Sequence, residues 1–415
     1  MRNNRLRKNF STRLHARGQG KKARAVKLLR ARIIITIRML MYEIYAWIRV
    51  AWRLLRYLRY RMGLGECPTL LDVYPEAVVV FDRVMGWPRT LFVKGGEHCP
   101  TTGPVVYAGN HAKKDDPFVM YRAVHRVTGW SCEIRYMMRD DFFAGIPDFR
   151  IVDVDELLRL LGAQQISRDN VQLSQLKPFV KLLREGNGFI MYPGRSRSRT
   201  GLFMEYRDGI DEPGGVTFFL AQAQRGNPDL HVPAVPVARS HNPVSKRSVV
   251  VFGPPVYLPH DSDRALQRET DLRLVEAMGD RIEINVAMTV SALLYLHCLH
   301  DRPVPIQQGS LFDAVRAALN ACAQNRHIDE EALSDLPREV KLTLEYLGKH
   351  GMLDLRGTRI WPNKEAILAA PEPDKMYIKK NPVKHLLNQT LHLADVTAAF
   401  ETAARSLKGD ATHAD

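Results

Sequence analysis

Short runs of β-branched and aromatic residues, separated by helical stretches, constrain this chain most. "AVVVF" (Ala77–Phe81), "LFV" (Leu91–Val93), "VVYAG" (Val105–Gly109), "IRYMM" (Ile134–Met138), "GFIMY" (Gly188–Tyr192), "VPAVPVA" (Val232–Ala238) and "SVVVF" (Ser248–Phe252) read as strands. Helical patterns over Pro117–Val127, Val171–Glu185 and Gly214–Gln224 fall between them. Strand and helix in alternation predict an α/β body with a mixed, mostly parallel sheet flanked by helices. In such sheets reactive groups collect beyond the carboxyl ends of the strands. After about Asp263 strands thin out. Asp263–His300, Ile306–Cys322 and Ser334–Gly348 read as helices, and His350–Pro362 as a short hairpin after a helix. Three regions result: a leader over 1–65, the α/β body over 66–262, and a helical C-terminal extension over 263–415.

The leader is distinguished by charge. The chain has 415 residues and a formal net charge of +15. Residues 1–65 hold 18 lysines and arginines against one acid, Glu43, whereas the remainder holds 42 bases against 44 acids. Such a leader suits a nucleic-acid arm, a membrane-surface anchor or a targeting peptide. From about Lys21 to Met62 it is also apolar. At 100° per residue, Lys27, Arg38, Arg49, Arg53 and Arg56 share one side of a helix, while Ile34, Ile37, Met41, Ile44, Trp47, Ile48, Trp52 and Leu55 cover much of the rest. A spanning helix would bury Arg38, Glu43, Arg49 and Arg53, at about 2.5–3.5 kcal/mol each. A helix lying in the interface avoids that cost and gains attraction to anionic lipid. The expectation is therefore a peripheral or monotopic association with the cytoplasmic face of a membrane. A spanning helix and a helix packed on the protein's own body are the alternatives. A mitochondrial-type leader stays open, because the first 42 residues contain no acid. Cys67, Cys99, Cys132, Cys298 and Cys322 are scattered, odd in number and without a CxxC pair, as expected of reduced thiols.

Three stretches carry chemistry. "GNHAKKDDPF" (Gly109–Phe118) follows a strand and sets His111 five residues before Asp116. On a turn opening a helix the two can face each other. The carboxylate then fixes the imidazole tautomer and leaves the other nitrogen free to take a proton from an alcohol. Equally, Asp115 or Asp116 could cap the helix, with Pro117 in its first turn. Lys113 and Lys114 either add positive potential there or are solvated turn residues. "MYPGRSRSRTG" (Met191–Gly201) also follows a strand and alternates Arg195, Arg197 and Arg199 with hydroxyls. Backbone N–H groups and guanidinium forks in such a turn suit a phosphate dianion; a solvated basic loop is the alternative. "GAQQISRDN" (Gly162–Asn170) contributes Arg168.

In this order, "NHAKKDD", "GAQQISR", "YPGRSRSRTG" and "VPAVPVA" resemble the four motifs of the glycerolipid (PlsC-like) acyltransferase superfamily, and are most similar to those of glycerol-3-phosphate acyltransferases. The resemblance covers roughly Val105 to Val237. It implies that His111 is a general base and Asp116 its orienting partner. Arg168 and Arg197 would grip the acceptor's phosphate, joined by Ser198 and Arg199. Asn110, Gly194, Gly201 and Pro236 would be supporting positions. It implies transfer of a fatty acyl group from acyl-CoA or an acyl-carrier protein to glycerol 3-phosphate, or to lysophosphatidate, with no cofactor. The residues themselves imply no metal, since "EHC" at Glu97–Cys99 lacks ligand spacing. "RIEINVAMTVSALLYL" and "YIKKNPVKHLLNQTLHL" loosely resemble the helical tail of the larger glycerol-3-phosphate acyltransferases.

The chain departs from the family at Gly194, where a glutamate is usual, and at Arg195, where a glycine is usual. Glu205 and Glu185 are the carboxylates that could compensate. A non-catalytic membrane-binding homologue is thus a second reading, against which the retention of His111 and Asp116 argues. A nucleic-acid binder, using the leader and a winged-helix-like tail near Val340–Pro362, is a third. The tail's mixed charges and the leader's apolar flanks disfavour it, so no nucleic-acid partner is expected.

Overall fold

The computed structural model describes residues 37, 38, 40–68, 73–85, 90–129, 132–139, 153–160, 162–167, 172–194, 196–206, 212–299 and 305–407. The chain divides into two compact units, 1–85 with 148–153, and 86–147 with 154–415.

The first unit holds two helices, α1 over residues 40–61 and α2 (Tyr74–Met85). The "AVVVF" run expected as a strand lies inside α2. Its valines favour a strand by propensity, but Glu76, Val79 and Asp82 repeat at helical spacing and are buried. Packing of that stripe overrides an intrinsic preference of a few tenths of a kcal/mol per residue. On α1, buried Ala46 and Tyr57 lie on the same face as Glu43, Arg49 and Arg53, which are half-buried. Arg49 reaches Glu76 at 3.1 Å and Arg83 reaches Glu43 at 2.8 Å. Tyr57 Oη donates to the Asp153 carbonyl at 3.1 Å, and Arg61 lies 3.7 Å from the Asp153 carboxylate. Thus Glu43, Arg49 and Arg53 turn inward, whereas Arg38 and Arg56 stay exposed. Ile37, Met41, Ile44, Ile48, Trp52 and Leu55 stay exposed on the opposite side. No helix among the described residues is long and apolar enough to cross a membrane.

The second unit is built on a seven-stranded sheet: β1 (Leu91–Lys94), β2 (Val105–Gly109), β3 (Ile134–Arg139), β4 (Ala163–Ile166), β5 (Gly188–Met191), β6 (Ala234–His241) and β7 (Ser248–Phe252). Their order is β1-β7-β6-β2-β5-β3-β4. Pairing is parallel except between β6 and β7, which run antiparallel. Hence the α/β, mostly parallel expectation holds. The sheet gains β4 from "GAQQI", whose mixed polarity hid a strand. Helices α3 (Asp116–Thr128), α4 (Val154–Leu160), α5 (Leu173–Arg184) and α6 (Val216–Gln224) link the strands. Strands β2, β5 and β7 are buried along their whole length. A parallel strand covered on both faces reads as a continuous apolar run.

The helical run expected over Asp263–His300 is two helices, α7 (Arg264–Gly279) and α8 (Val286–Cys298). The break is marked by Asn285, whose side chain accepts from the Met288 N–H, and by a bridge between Ile284 and Ile328. Beyond them come β8 (Ile306–Gln307), α9 (Gln308–Cys322), α10 (Glu330–Ser334), α11 (Leu336–Lys349) and the hairpin β9 (Leu353–Arg356) and β10 (Arg359–Pro362). Strands β8, β10 and β9 form a separate three-stranded sheet in that order. Last are α12 (Lys364–Leu368), α13 (Tyr377–Lys380), α14 (Pro382–Asn388) and α15 (Ala394–Ser406). One apolar core runs from Val106 and Phe189 of the sheet through Val290 and Leu294 of α8 to Val383 and Phe400. The extension therefore shares the sheet's core.

Candidate active site

Because β2, β5 and β6 are parallel, their carboxyl ends emerge at one edge, and the first, third and fourth motifs meet there. The antiparallel β7 begins at the same edge, with Ser248 opposite His241. Pro236 sits within β6, opposite Ala108 of β2.

Past β2, Asn110 is buried and bonds the Arg239 backbone twice. Its Oδ1 accepts from the Arg239 N–H at 2.7 Å and its Nδ2 donates to the Arg239 carbonyl at 3.0 Å. This fixes the turn that carries His111. Nδ1 of His111 meets Asp116 Oδ2 at 2.7 Å, and that oxygen also accepts the Lys113 N–H at 2.7 Å. The imidazole stacks on Tyr192 with ring centroids 4.5 Å apart and keeps 22% of its side chain exposed. With Nδ1–H held by the carboxylate, Nε2 is the basic nitrogen.

The capping alternative is resolved by geometry. Asp115 occupies the N-cap position of α3 without a side-chain capping bond. Both carboxylates bond Arg239 instead: Nη1 donates to Asp115 Oδ1 at 2.9 Å and to Asp116 Oδ1, and Nη2 donates to Asp115 Oδ2 at 3.1 Å. Burial pushes the Asp116 carboxyl up. The Arg239 charge, the imidazole and the Lys113 N–H outweigh it, holding Asp116 down at about 2.

The third motif closes on the first. The Ser198 N–H donates to the His111 carbonyl at 2.7 Å, so the loop carrying Arg197 and Arg199 abuts the base. Both arginines are half-buried. Gly194 is buried, and a Cβ there would meet Met204 Sδ at 2.9 Å. The loop's carboxylate comes from Glu205, whose Oε2 accepts from the N–H groups of Arg199 and Thr200 at 2.7 and 3.0 Å and from the Thr200 hydroxyl at 2.9 Å. Of the two carboxylates named as compensating for Gly194, Glu205 is the one found there. Arg168 and Arg195 lie outside the described residues.

Around Lys113 of the first motif stand residues that carried none. Lys113 Nζ lies 3.0 Å from His241 Nε2, and His241 Nδ1 lies 2.9 Å from Ser248 Oγ. Lys113 is half-buried, and burial lowers its pKa; Lys114 is exposed. From the extension, Asn388 Nδ2 donates to the Thr200 carbonyl at 2.9 Å. His385 is held down at about 4, first by burial, and its carbonyl faces Gly201. One signal was readable: an arginine inside the apolar run "VPAVPVAR" must find a buried anion. The contacts of His385 and Asn388 span almost 190 residues and leave no local trace. A separate groove of about 1070 Å³ is lined by Phe203, Arg281, His327 and His392, away from His111. Its Arg326 is paired with Asp280 and Asp395.

Residues 90–238 match the family model described as acyltransferase, a span containing all four motifs. Over that segment the chain is similar to acyltransferase domains. Among solved structures the chain is similar to the 1-acyl-sn-glycerophosphate (LPA) acyltransferase PlsC from Thermotoga maritima, with 16% identity over 59% of this chain and 98% of that one, at a TM-score of 0.37. No curated protein matches the chain.

Proposed function

We propose that this protein moves a fatty acyl group from a thioester donor, acyl-CoA or acyl-carrier protein, to the hydroxyl of glycerol 3-phosphate. The observation that carries the reading is the join between the two motifs, Ser198 N–H to the His111 carbonyl at 2.7 Å. It sets a carboxylate-steered imidazole beside a loop of arginines and hydroxyls. Nε2 of His111 takes the hydroxyl proton as the alcohol oxygen attacks the thioester carbonyl. The C–S bond then breaks, and the thiolate leaves with a proton. Arg197 and Arg199, with Ser198 and Arg168, would hold the acceptor's phosphate.

The test incubates purified protein with labelled glycerol 3-phosphate, or with lysophosphatidate, plus each donor, and identifies the lipid formed. Label moving from glycerol 3-phosphate into lysophosphatidate supports this reading. Phosphatidate from lysophosphatidate alone moves the assignment to the sibling reaction. No product with either leaves a non-catalytic homologue, and unchanged turnover in His111→Ala removes His111 as the base.

We also infer that the exposed apolar side of α1 lies on an anionic membrane surface, on the cytoplasmic side. Its tryptophans and aliphatic residues face out while its inner charges are paired within the unit. All five cysteines are free, which fits a reducing compartment. Flotation with anionic vesicles should be lost in Ile48→Asp/Trp52→Asp. Unchanged flotation of that variant, or tight DNA binding without vesicle binding, would overturn it.

A further inference from the structure

Arg239 lies on β6, just past the fourth motif, with its side chain 2% exposed. Burying a guanidinium costs several kcal/mol unless anions repay it. Here two do, Asp115 and Asp116, and Ser248 Oγ accepts a further bond from Nη2 at 3.1 Å. The geometry assigns Arg239 as a positioning residue of acyl transfer: clamped across Asp115 and Asp116, it keeps the Asp116 carboxylate ionised and aimed at His111. This rests on the function proposed above.

The reasoning is a charge balance. Asp116 is fully buried and Asp115 is 18% exposed at its side chain. Two carboxylates this close to one imidazole, without a cation, would hold an extra proton on the His111–Asp116 pair and so block the base. One guanidinium cancels one carboxylate and leaves a single negative charge for Nδ1–H. Asn110 supports the clamp from behind by fixing the backbone of residue 239 to the residue before His111. Lys113 from the turn, Tyr192 after β5 and His241 from β6 are the other ionisable groups around Asp116. Burial drives Tyr192 well above and His241 well below their ordinary values, so both stay neutral near pH 7. Lys113 is common to every variant below.

The experiment follows the modification of His111 by diethyl pyrocarbonate against pH, read by mass spectrometry, beside the pH–rate profile of acyl transfer. The reagent needs an unprotonated imidazole, so it reports the pair even without turnover. Removing a cation beside the pair eases proton uptake, so in Arg239→Gln both midpoints should move up by about one pH unit or more. The kcat should fall, with the KM for the acceptor changed less than about threefold, because the Arg239 side chain is buried behind Asp115 and Asp116. Arg239→Lys should keep most of the wild-type midpoint. Arg239→Gln/Asp115→Asn, which restores the balance, should recover most of the shift. An unmoved midpoint in Arg239→Gln, or no recovery in the double variant, would overturn the assignment and leave a purely structural clamp. Should Arg239→Gln not fold, Asp115→Asn alone decides: the midpoint moves down if the clamp sets it, and stays if it does not. A wild-type protein without acyl transfer would fail the proposed function, while the modification midpoints would still judge the clamp.

Discussion

Gly201→Ala probes whether the C-terminal extension is part of the site. Gly201 has φ of +93°, and a Cβ there would lie 2.1 Å from the His385 carbonyl oxygen on α14. Ordinary C···O contact begins near about 3.3 Å, so α14 and the third-motif loop would have to part by about 1 Å. The left-handed conformation itself costs about 1–2 kcal/mol for an alanine, and overpacking adds about 1–3 kcal/mol. The internal control is Gly226→Ala. It has φ of +76° with nothing within 4 Å of the new Cβ, so it pays only the backbone cost. Urea unfolding followed by circular dichroism should therefore separate the variants by about 1–3 kcal/mol. The displacement also pulls on the Asn388 bond to the Thr200 carbonyl and on Ser198, which holds the His111 turn. A shift of about 1 Å at a catalytic group can cost on the order of 100-fold in rate. Acyl-transfer rates should fall by about that much in Gly201→Ala and stay near wild type in Gly226→Ala. Equal destabilisation and equal activity in the two variants would refute the packing of α14 on the loop.

Restoring the family's glutamate with Gly194→Glu should lower activity, because Met204 Sδ stands 2.9 Å from the new Cβ and Glu205 already holds the loop; Gly194→Glu/Met204→Ala should recover part of it. Glu205→Ala strands the Arg199 and Thr200 N–H groups and should cost about 2–4 kcal/mol, against about 1 kcal/mol for Glu205→Gln, both read by urea unfolding. Asp271 is pushed by burial from 3.8 up to about 6, even though it accepts the Thr217 N–H at 3.0 Å and the Thr217 hydroxyl at 2.8 Å. A carboxyl raised in the folded state stabilises fully below its unfolded value, and that contribution is lost as pH climbs through about 6. Asp271→Asn should therefore gain on wild type by up to about 3 kcal/mol between pH 4 and pH 7; parallel stability–pH curves would rule this out.

Much of the fold was legible because it rests on local pattern. Six of the seven apolar runs are strands, since a buried strand must be apolar throughout. "AVVVF" misled because a β-branched run has the same composition in a strand and in a helix whose partner buries every third or fourth side chain. β4 was hidden because two glutamines interrupt it. In the candidate site, His111 and Asp116 were readable as a pair because their spacing and the turn between them already favour contact. Arg239 signalled only its need for a buried anion; which carboxylates it meets was not readable, because 123 residues separate it from Asp116.

The sequence by itself determined the alternation of strand and helix, the placing of the motifs after strands, and a leader with one charged and one apolar side. These depend on neighbours within a few residues. Only the tertiary structure decided that Glu43, Arg49 and Arg53 of α1 turn inward, that the Glu205 carboxylate enters the third-motif loop, that Arg239 bridges Asp115 and Asp116, and that α14 packs on Gly201. Those outcomes depend on which distant surfaces come together, and on which buried charges and N–H groups meet a partner once water is excluded.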